Sequence, residues 1–237
     1  MDAQMIRDII RSIDLTDLSP NADEAGILTL CDRAMAEGTA AVCIPAQFLF
    51  AAQKRLSGSG VQGATVVNFP GGDAPLEAVL EETRRALDLG AEEVDLVVPY
   101  ALADAARTRD MVGAVREITG GIILKAILET GRLDPAQIRA QADAAICGGA
   151  DFLKTSTGMV DVGATPEAAA ILLEAIVASE APVGLKVSGG IRTAEAAAGY
   201  LTQARAALGT SEPSRFRIGC SGLLNALTGG RAAQTGY

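Results

Sequence analysis

The chain has 237 residues, a net charge of −9 and 49% hydrophobic residues. This length suits one large α/β domain or two small ones, and the hydrophobic content excludes general disorder. The acidic charge argues against nucleic acid or an anionic membrane as a partner, and no apolar run reaches the ~20 residues of a membrane span. Histidine is absent, which removes catalytic schemes built on histidine and most zinc sites. We therefore expect no bound metal.

The cysteines and the N-terminal residues indicate where the protein works. Cys31, Cys43, Cys147 and Cys220 are scattered and form no CxxC pattern, as expected for reduced thiols. The first five residues are too polar and acidic for a secretory signal. Both features predict a cytoplasmic protein.

Hydrophobic periodicity predicts eight strands, each followed by a helix. The strands are predicted at 13–16, 41–44, 64–69, 93–98 and 122–128, around Lys154, and at 183–188 and 215–220. The helices are predicted at 23–37, 46–56, 75–89, 103–119, 135–147, 166–179 and 193–208, with a last one from Ser221. No change in composition marks a linker, so residues 1–237 are expected to form a single (β/α)8 TIM barrel domain. The first strand is the weakest, and without it a seven-stranded open sheet is the alternative.

Alternate residues of a barrel strand face either the surrounding helices or the interior. The positions predicted to face the helices carry leucine and valine. The opposite positions carry charges, namely Asp95, Lys125, Lys154 and Lys186. A purely structural barrel would fill its interior with branched aliphatic side chains, so these charges predict a functional site.

The scarcity of lysine makes Lys154 a candidate nucleophile. The chain has 16 arginines but four lysines, three of which lie in predicted strands. Arginine keeps its proton, whereas a lysine can become a neutral, nucleophilic amine. Lys154 and Lys186 lie one strand–helix unit apart, so they should project side by side, and two adjacent ammonium groups should push one pKa toward neutrality. A neutral amine can form a Schiff base with a carbonyl.

Structural interpretations of the same residues stay open at this point. Each lysine could instead pair with a buried carboxylate such as Asp95 or Glu129. Asp95 itself fits either a proton-transfer group or a structural counter-ion. Cys43 is more typical of a small core residue than of a reactive thiol.

Glycine-rich loops follow the seventh and eighth predicted strands. Gly189 and Gly190 precede Arg192, and Gly219 lies two residues before Ser221. Glycines let backbone N–H groups approach an anion, and these two loops of a barrel commonly hold phosphate. A Gly-Gly pair alone is otherwise just a turn, but its position favours a phosphate site.

Seven segments together resemble the 2-deoxy-D-ribose-5-phosphate aldolase family. They are 14–16 (DLT), 68–70 (NFP), 93–95 (EVD), 128–131 (LETG), 151–158 (DFLKTSTG), 186–193 (KVSGGIRT) and 217–219 (RIG). The resemblance implies a class I aldolase without metal or cofactor. It would reversibly split 2-deoxyribose 5-phosphate into acetaldehyde and glyceraldehyde 3-phosphate. The family is usually cytoplasmic and often dimeric, so a homodimer is expected.

The resemblance also implies roles for individual residues. Lys154 forms the Schiff base, Lys186 tunes it, and Asp95 transfers protons with water. Tyr237, at the end of a mobile tail 230–237, reaches the site and assists proton transfer. The substrate-binding residues are Lys125, Thr157, Cys43 and Thr16. The phosphate-binding residues are Gly158, Gly189, Gly190, Arg192, Gly219 and Ser221.

Two positions depart from the family pattern. Met159 stands where many members have a phosphate-binding lysine, and Gly222 stands where a serine is common. Charge-assisted contacts are typically worth about 1.5–3 kcal/mol each. We therefore expect a weaker preference for the phosphorylated substrate, with Arg192 compensating in part. A transaldolase-like Schiff-base enzyme and a non-catalytic sugar-phosphate-binding barrel are the alternatives.

Overall fold

Eight short strands, almost all of whose residues are buried, form the centre of the computed structural model, which describes residues 1–229. The strands are β1 Ile13–Thr16, β2 Ala41–Cys43, β3 Gln62–Val67, β4 Glu93–Val97, β5 Ile123–Ile127, β6 Phe152–Lys154, β7 Gly184–Ser188 and β8 Phe216–Cys220. All are parallel, each pairs with the next along the chain, and β1 closes the barrel on β8.

Helices alternate with the strands and surround them. Within residues 1–229 they are α1 Ala3–Arg11, α2 Glu24–Glu37, α3 Leu49–Leu56, α4 Leu76–Asp88, α5 Ala105–Thr119, α6 Pro135–Cys147, α7 Pro166–Ser179, α8 Ala194–Leu208 and α9 Leu223–Leu227. Polar side chains that accept hydrogen bonds from first-turn backbone N–H groups begin α2, α5, α6, α7 and α8. None of the helices described is long and apolar enough to cross a membrane.

The predicted barrel is confirmed, and the seven-stranded open sheet is wrong because β1 pairs with both of its neighbours. Helices α6 and α7 have the predicted bounds, and most other boundaries shift by one or two residues. The segment predicted as one helix at 46–56 begins with a 3₁₀ turn, Ala46–Phe48, before α3. Helix α1 was not predicted. Met5, Ile6, Ile9 and Ile10 do have helical spacing, and Ile9 is its one fully buried residue.

Apolar side chains fill the space between the barrel and its helices, as the alternation of strand residues predicts. Leu96, Leu124, Leu153 and Leu185 are fully buried in this layer together with helical residues. The inward positions hold fewer apolar side chains, among them a small cluster made by β2 and β3 and the ring of Phe152, which lies 5.7 Å from the guanidinium carbon of Arg217. The rest of the interior is therefore left for polar and charged side chains.

Candidate active site

Within residues 1–229, seven charged side chains lie inside the barrel, and none exposes more than 4% of its surface. They come from six of the eight strands: Asp14 of β1, Glu93 and Asp95 of β4, Lys125 of β5, Lys154 of β6, Lys186 of β7 and Arg217 of β8. Removing a charge from water costs several kcal/mol unless it is paired and hydrogen-bonded. The interior must therefore consist of matched opposite charges.

Asp95 is the carboxylate that joins the three lysines. Its Oδ1 accepts a hydrogen bond from Lys125 Nζ at 2.7 Å. Its Oδ2 accepts from both Lys154 Nζ and Lys186 Nζ, each at 2.7 Å. The strand register explains the convergence, because Asp95 pairs with Lys125 across β4 and β5, and Lys154 pairs with Lys186 across β6 and β7. The predicted juxtaposition of Lys154 and Lys186 is confirmed.

A second group of charges completes the network. Arg217 donates to Asp14 Oδ1 at 2.7 Å and to Glu93 Oε1 at 2.8 Å. The remaining oxygens of these two carboxylates contact lysines: Asp14 Oδ2 lies 2.5 Å from Lys186 Nζ, and Glu93 Oε2 lies 2.6 Å from Lys125 Nζ. Carboxylates and cations therefore alternate through the interior.

Asp14, Glu93 and Arg217 were missed as members of this site. A signal was present, because Glu93 lies two residues before Asp95 and thus faces the same side of its strand. Arg217 likewise alternates with helix-facing Phe216 and Ile218, which are fully buried in the apolar layer. The alternation that singled out the lysines would have found all three.

Both interior aspartates are ionised at neutral pH. Burial alone would raise the pKa of Asp95, but Lys125, Lys154 and Lys186 together lower it well below its ordinary value. Burial likewise opposes ionisation of Asp14, and the neighbouring Lys186 and Lys125 outweigh it, so that its pKa is also lowered. The carboxylates stay charged because cations surround them on several sides.

The three lysines differ in the direction of their pKa shift. Burial lowers the pKa of Lys154, and the adjacent Lys186 adds to this while Asp95 opposes it. Burial is outweighed at Lys186 by Asp14 and Asp95, and at Lys125 by Asp95 and Glu93, so the pKa values of both lysines are raised. Lys154 is thus the one lysine of the three whose pKa falls. The larger cause is burial, and the neighbouring lysine expected from the sequence contributes less.

A count of charges reaches the same conclusion about Lys154. Three carboxylates face four cations among the described residues of the interior. With every group ionised, the buried network would carry an uncompensated positive charge. If Lys154 is neutral, three negative charges balance three positive ones, and no buried charge lacks a partner.

The structural interpretation of the lysines is correct in part. Each interior lysine does pair with Asp95, as that interpretation required. Glu129 does not pair with the interior lysines. Its carboxylate instead accepts hydrogen bonds from the hydroxyl and the backbone N–H of Thr157. Pairing with Asp95 does not exclude chemistry at Lys154, because a neutral amine donates one N–H and keeps its lone pair.

Hydroxyl groups after β6 lie at the carboxyl end of the barrel, where sites of this fold are built. The hydroxyl of Thr157 donates to Glu129 and accepts from the backbone N–H of Met159 at 3.0 Å. The hydroxyl of Ser156 is buried and has no partner among the described residues. These residues do not cap the next helix, since the side chain of Thr165 does so.

The loops after β6 and β7 meet through glycines. Gly158 and Gly189 both have positive φ, 83° and 84°, a conformation that strains other residues. A Cβ at Gly189 would lie 2.9 Å from Gly163 Cα and 3.4 Å from Gly158 Cα, so a side chain there would collide with the neighbouring loop. Gly190 also has positive φ, but open space surrounds it. Two predicted phosphate-site glycines, Gly158 and Gly189, are therefore brought together.

The remaining predicted phosphate residues lie apart from that contact. Arg192 and Ser221 are exposed after β7 and β8. Gly219 was assigned to a loop, which is wrong, because β8 continues to Cys220. A Cβ at Gly219 would lie 3.1 Å from Lys186 Cε. This glycine therefore makes room for the side chain of Lys186 inside the barrel.

The other predicted site residues have distinct surroundings. Cys43 is fully buried in a small cluster with Ala41 and Ala64, and burial raises the pKa of its thiol. Thr16 is half-buried at the end of β1, where its hydroxyl donates to the backbone oxygen of Asp14 at 2.8 Å. Tyr237 and the tail 230–237 lie outside the described residues.

Comparison with known proteins identifies the family. A family described as DeoC/LacD family aldolase matches residues 9–229. The chain belongs to this aldolase family. It is 44% identical to the deoxyribose-phosphate aldolase of Agrobacterium fabrum, in an alignment covering 95% of this chain and 93% of the relative.

Solved structures of similar proteins include members of the same aldolase group. Deoxyribose phosphate aldolase from Aeropyrum pernix, a tetramer, superposes with a TM-score of 0.81 at 27% identity, covering 96% of this chain and 97% of that one. A protein from Coccidioides immitis, provisionally assigned as a deoxyribose-phosphate aldolase, has a TM-score of 0.86 at 29% identity, covering 96% and 87%. The resemblance inferred from the seven segments is confirmed.

Acid is expected to destabilise the protein through Asp14 and Asp95. Their pKa values in the folded chain lie below the ordinary value of 3.8, so the unfolded chain binds protons first as the pH falls below about 4. Their contribution to the free energy of unfolding is complete above that pH and is lost as the pH falls through the folded values. Urea unfolding at neutral pH and at about pH 3 measures this loss.

The variant Asp14→Asn isolates part of this effect. It should lower the free energy of unfolding at neutral pH by about 3–5 kcal/mol, because it breaks a buried ion-pair network, and it should weaken the acid dependence. Asp143→Asn, on the exposed side of α6 with half of its side chain accessible, is the control and should change neither. An Asp14→Asn protein with the full acid dependence of the parent would contradict the assignment.

Proposed function

We propose that this protein is a deoxyribose-phosphate aldolase that reversibly cleaves 2-deoxy-D-ribose 5-phosphate to acetaldehyde and D-glyceraldehyde 3-phosphate. Family membership and the 44% identity to the Agrobacterium fabrum enzyme support this substrate. The observation that carries the mechanism is Lys154, a buried amine with a lowered pKa in a network that is balanced only when it is neutral. Such an amine can attack an aldehyde without first losing a proton to solvent.

The reaction begins when the lone pair of Lys154 Nζ attacks the C1 carbonyl carbon of the open-chain sugar phosphate. The carbinolamine loses water to give a protonated Schiff base. Removal of the proton from the C3 hydroxyl breaks the C2–C3 bond, and its electron pair moves into the Schiff base to form an enamine. Glyceraldehyde 3-phosphate leaves. Protonation of the enamine at C2 and hydrolysis then release acetaldehyde and restore the amine.

Asp95 and Lys186 are suited to the proton transfers. The carboxylate of Asp95 touches Lys154 Nζ directly, so it can accept and return protons there or through a water. Lys186 stays protonated beside it and stabilises the negative charge of Asp95. Lys125 is fully buried and its Nζ lies near three carboxylates. We therefore assign it to holding Asp95 in place rather than to substrate contact.

The substrate is expected to lie above Lys154, between the loops that follow β6 and β7. Thr157, Thr16, Cys43 and the unpartnered hydroxyl of Ser156 border this space in the proposal. The phosphate is assigned to Gly158, Gly189, Gly190, Arg192 and Ser221. Gly219 contributes by accommodating Lys186. Tyr237 stays a prediction.

The composition and charge of the chain also support a proposal for the setting in which the protein works. The protein works in the cytoplasm on small aldehydes and a sugar phosphate, as a homodimer, without cofactor, metal, nucleic acid or membrane as a partner. The four cysteines are scattered without a CxxC pattern, which is typical of reduced thiols, and the net charge is acidic. Both features support this setting. Sedimentation velocity of the purified protein tests the dimer.

Trapping with acetaldehyde tests the nucleophile. Reduction of the protein–acetaldehyde mixture with cyanoborohydride should add one two-carbon group, which peptide mass mapping should place on Lys154. Lys154→Met should lose this adduct and reduce kcat/KM for deoxyribose 5-phosphate about 10³-fold or more, because the covalent route is removed. Lys54→Met, on the surface of α3 where Lys54 stacks over Phe50, is the control and should retain both.

Other results of these experiments would support one of the alternatives. An adduct on Lys186 would overturn the assignment of roles. Turnover of deoxyribose 5-phosphate without an adduct would overturn the Schiff-base mechanism. If the parent shows no turnover and Lys154→Met binds the sugar phosphate as the parent does, the non-catalytic barrel is favoured. A product other than acetaldehyde would favour a transaldolase-like enzyme.

Phosphate preference is expected to be weaker than in family members that carry a lysine at position 159. Met159 is 53% exposed in the loop after β6, so Met159→Lys can place a cation beside the proposed phosphate site. The variant should raise the ratio of kcat/KM for deoxyribose 5-phosphate to that for deoxyribose about tenfold, the value of one charge-assisted contact.

Val162→Lys is the matched control, because Val162 is 48% exposed in the same loop. It adds the same charge a few residues away and should change the ratio much less. An overwhelming preference of the parent for the phosphorylated sugar, or an equal effect of the two variants, would contradict the expectation.

A further inference from the structure

Arg217 is held rigidly in the interior of the barrel by three acceptors. Its guanidinium donates to Asp14 Oδ1 at 2.7 Å, to Glu93 Oε1 at 2.8 Å and to the backbone oxygen of Pro213. The residue is 4% exposed, and an arginine keeps its charge under all ordinary conditions. Arg217 is therefore a permanent, immobile positive charge within the network.

The charge of Arg217 reaches Lys154 through two short chains of ion pairs. On one side Asp14 bridges Arg217 and Lys186, and on the other Glu93 bridges Arg217 and Lys125. Both lysines then contact Asp95, the carboxylate that holds Lys154. A change at Arg217 must therefore alter how much negative charge Asp95 presents to Lys154.

We infer that Arg217 is a positioning residue that makes Lys154 the amine that gives up its proton. Three carboxylates are satisfied by three cations that stay charged, so the fourth cation is surplus. Without Arg217, the three carboxylates would need Lys154 as their third positive charge, and Lys154 would stay protonated. This inference rests on the proposed function, since it assigns a cause to the reactivity of the proposed nucleophile.

Other charged and titratable groups also face Lys154. Asp95 and Lys186 contact it or its partner directly, and Lys125, Asp14 and Glu93 form the next layer. Cys43, facing in from β2, has a thiol whose pKa burial raises, so it stays neutral at neutral pH. The inward residues of β3 are Ala64 and Val66, which carry no charge.

The test measures the pH dependence of cyanoborohydride trapping of acetaldehyde at Lys154. Arg217→Met should move the acid limb of the trapping rate upward by about one pH unit, the size of shift expected from loss of one nearby buried charge. Below that limb the rate should fall about tenfold, and at higher pH it should approach that of the parent. The double variant Arg217→Met/Glu93→Gln removes one charge of each sign and should return the limb toward the parental position.

Arg215→Met is the matched control. Arg215 lies two residues before Arg217 and is only partly buried, with its side chain donating to the backbone oxygen of Val183. This variant should keep the parental pH dependence. A purely structural role for Arg217 predicts that Arg217→Met traps more slowly by the same factor at every pH, and that result would overturn the inference.

If circular dichroism shows that Arg217→Met does not fold, the single variant Glu93→Gln tests the inference. It removes a negative charge, leaves the cations in excess, and should shift the acid limb downward. An unshifted limb in a folded Glu93→Gln protein would refute the inference. Failure of the parent to trap acetaldehyde at Lys154 would instead refute the proposed function, so the two failures are distinguishable.

Discussion

The burial of charge inside a closed ring of strands is the constraint on which the site depends. Seven ionisable side chains among the described residues are almost fully buried, and each charged one needs an opposite charge within hydrogen-bond distance. Asp95 satisfies this need for three lysines at once. The barrel therefore has an interior in which the protonation state of one group is tied to that of all the others.

This coupling links stability to reactivity. A lysine in water has a pKa far above neutrality, and a buried lysine that contacts several carboxylates keeps it high, as Lys125 does. Lys154 differs because its carboxylate is shared with two other lysines whose charges are held by further carboxylates. The same ion pairs that allow the charges to be buried thus leave one amine without full compensation, which is the state a Schiff-base nucleophile requires.

Backbone conformation and loop contacts, rather than buried ion pairs, shape the carboxyl end of the barrel. There, glycines with positive φ allow the loops after β6 and β7 to approach each other closely, and the hydroxyl of Thr157 fixes its loop against Glu129. Substitutions such as Met159 lie on the exposed part of these loops, where a side chain can change without disturbing the ion network. The proposed substrate preference can therefore change while the ion network around Lys154 is retained.

The sequence alone determined the barrel and the central pair of lysines, because both depend on local patterns. Strand residues alternate with a period of two, and an apolar outward side makes Asp95, Lys125, Lys154 and Lys186 visible as inward charges. Which carboxylate holds which lysine is decided only by the tertiary structure. Closure of β1 on β8 brings Arg217 within 2.7 Å of Asp14, 203 residues away along the chain. Contacts over such a separation depend on register and closure of the whole barrel, which no local pattern contains.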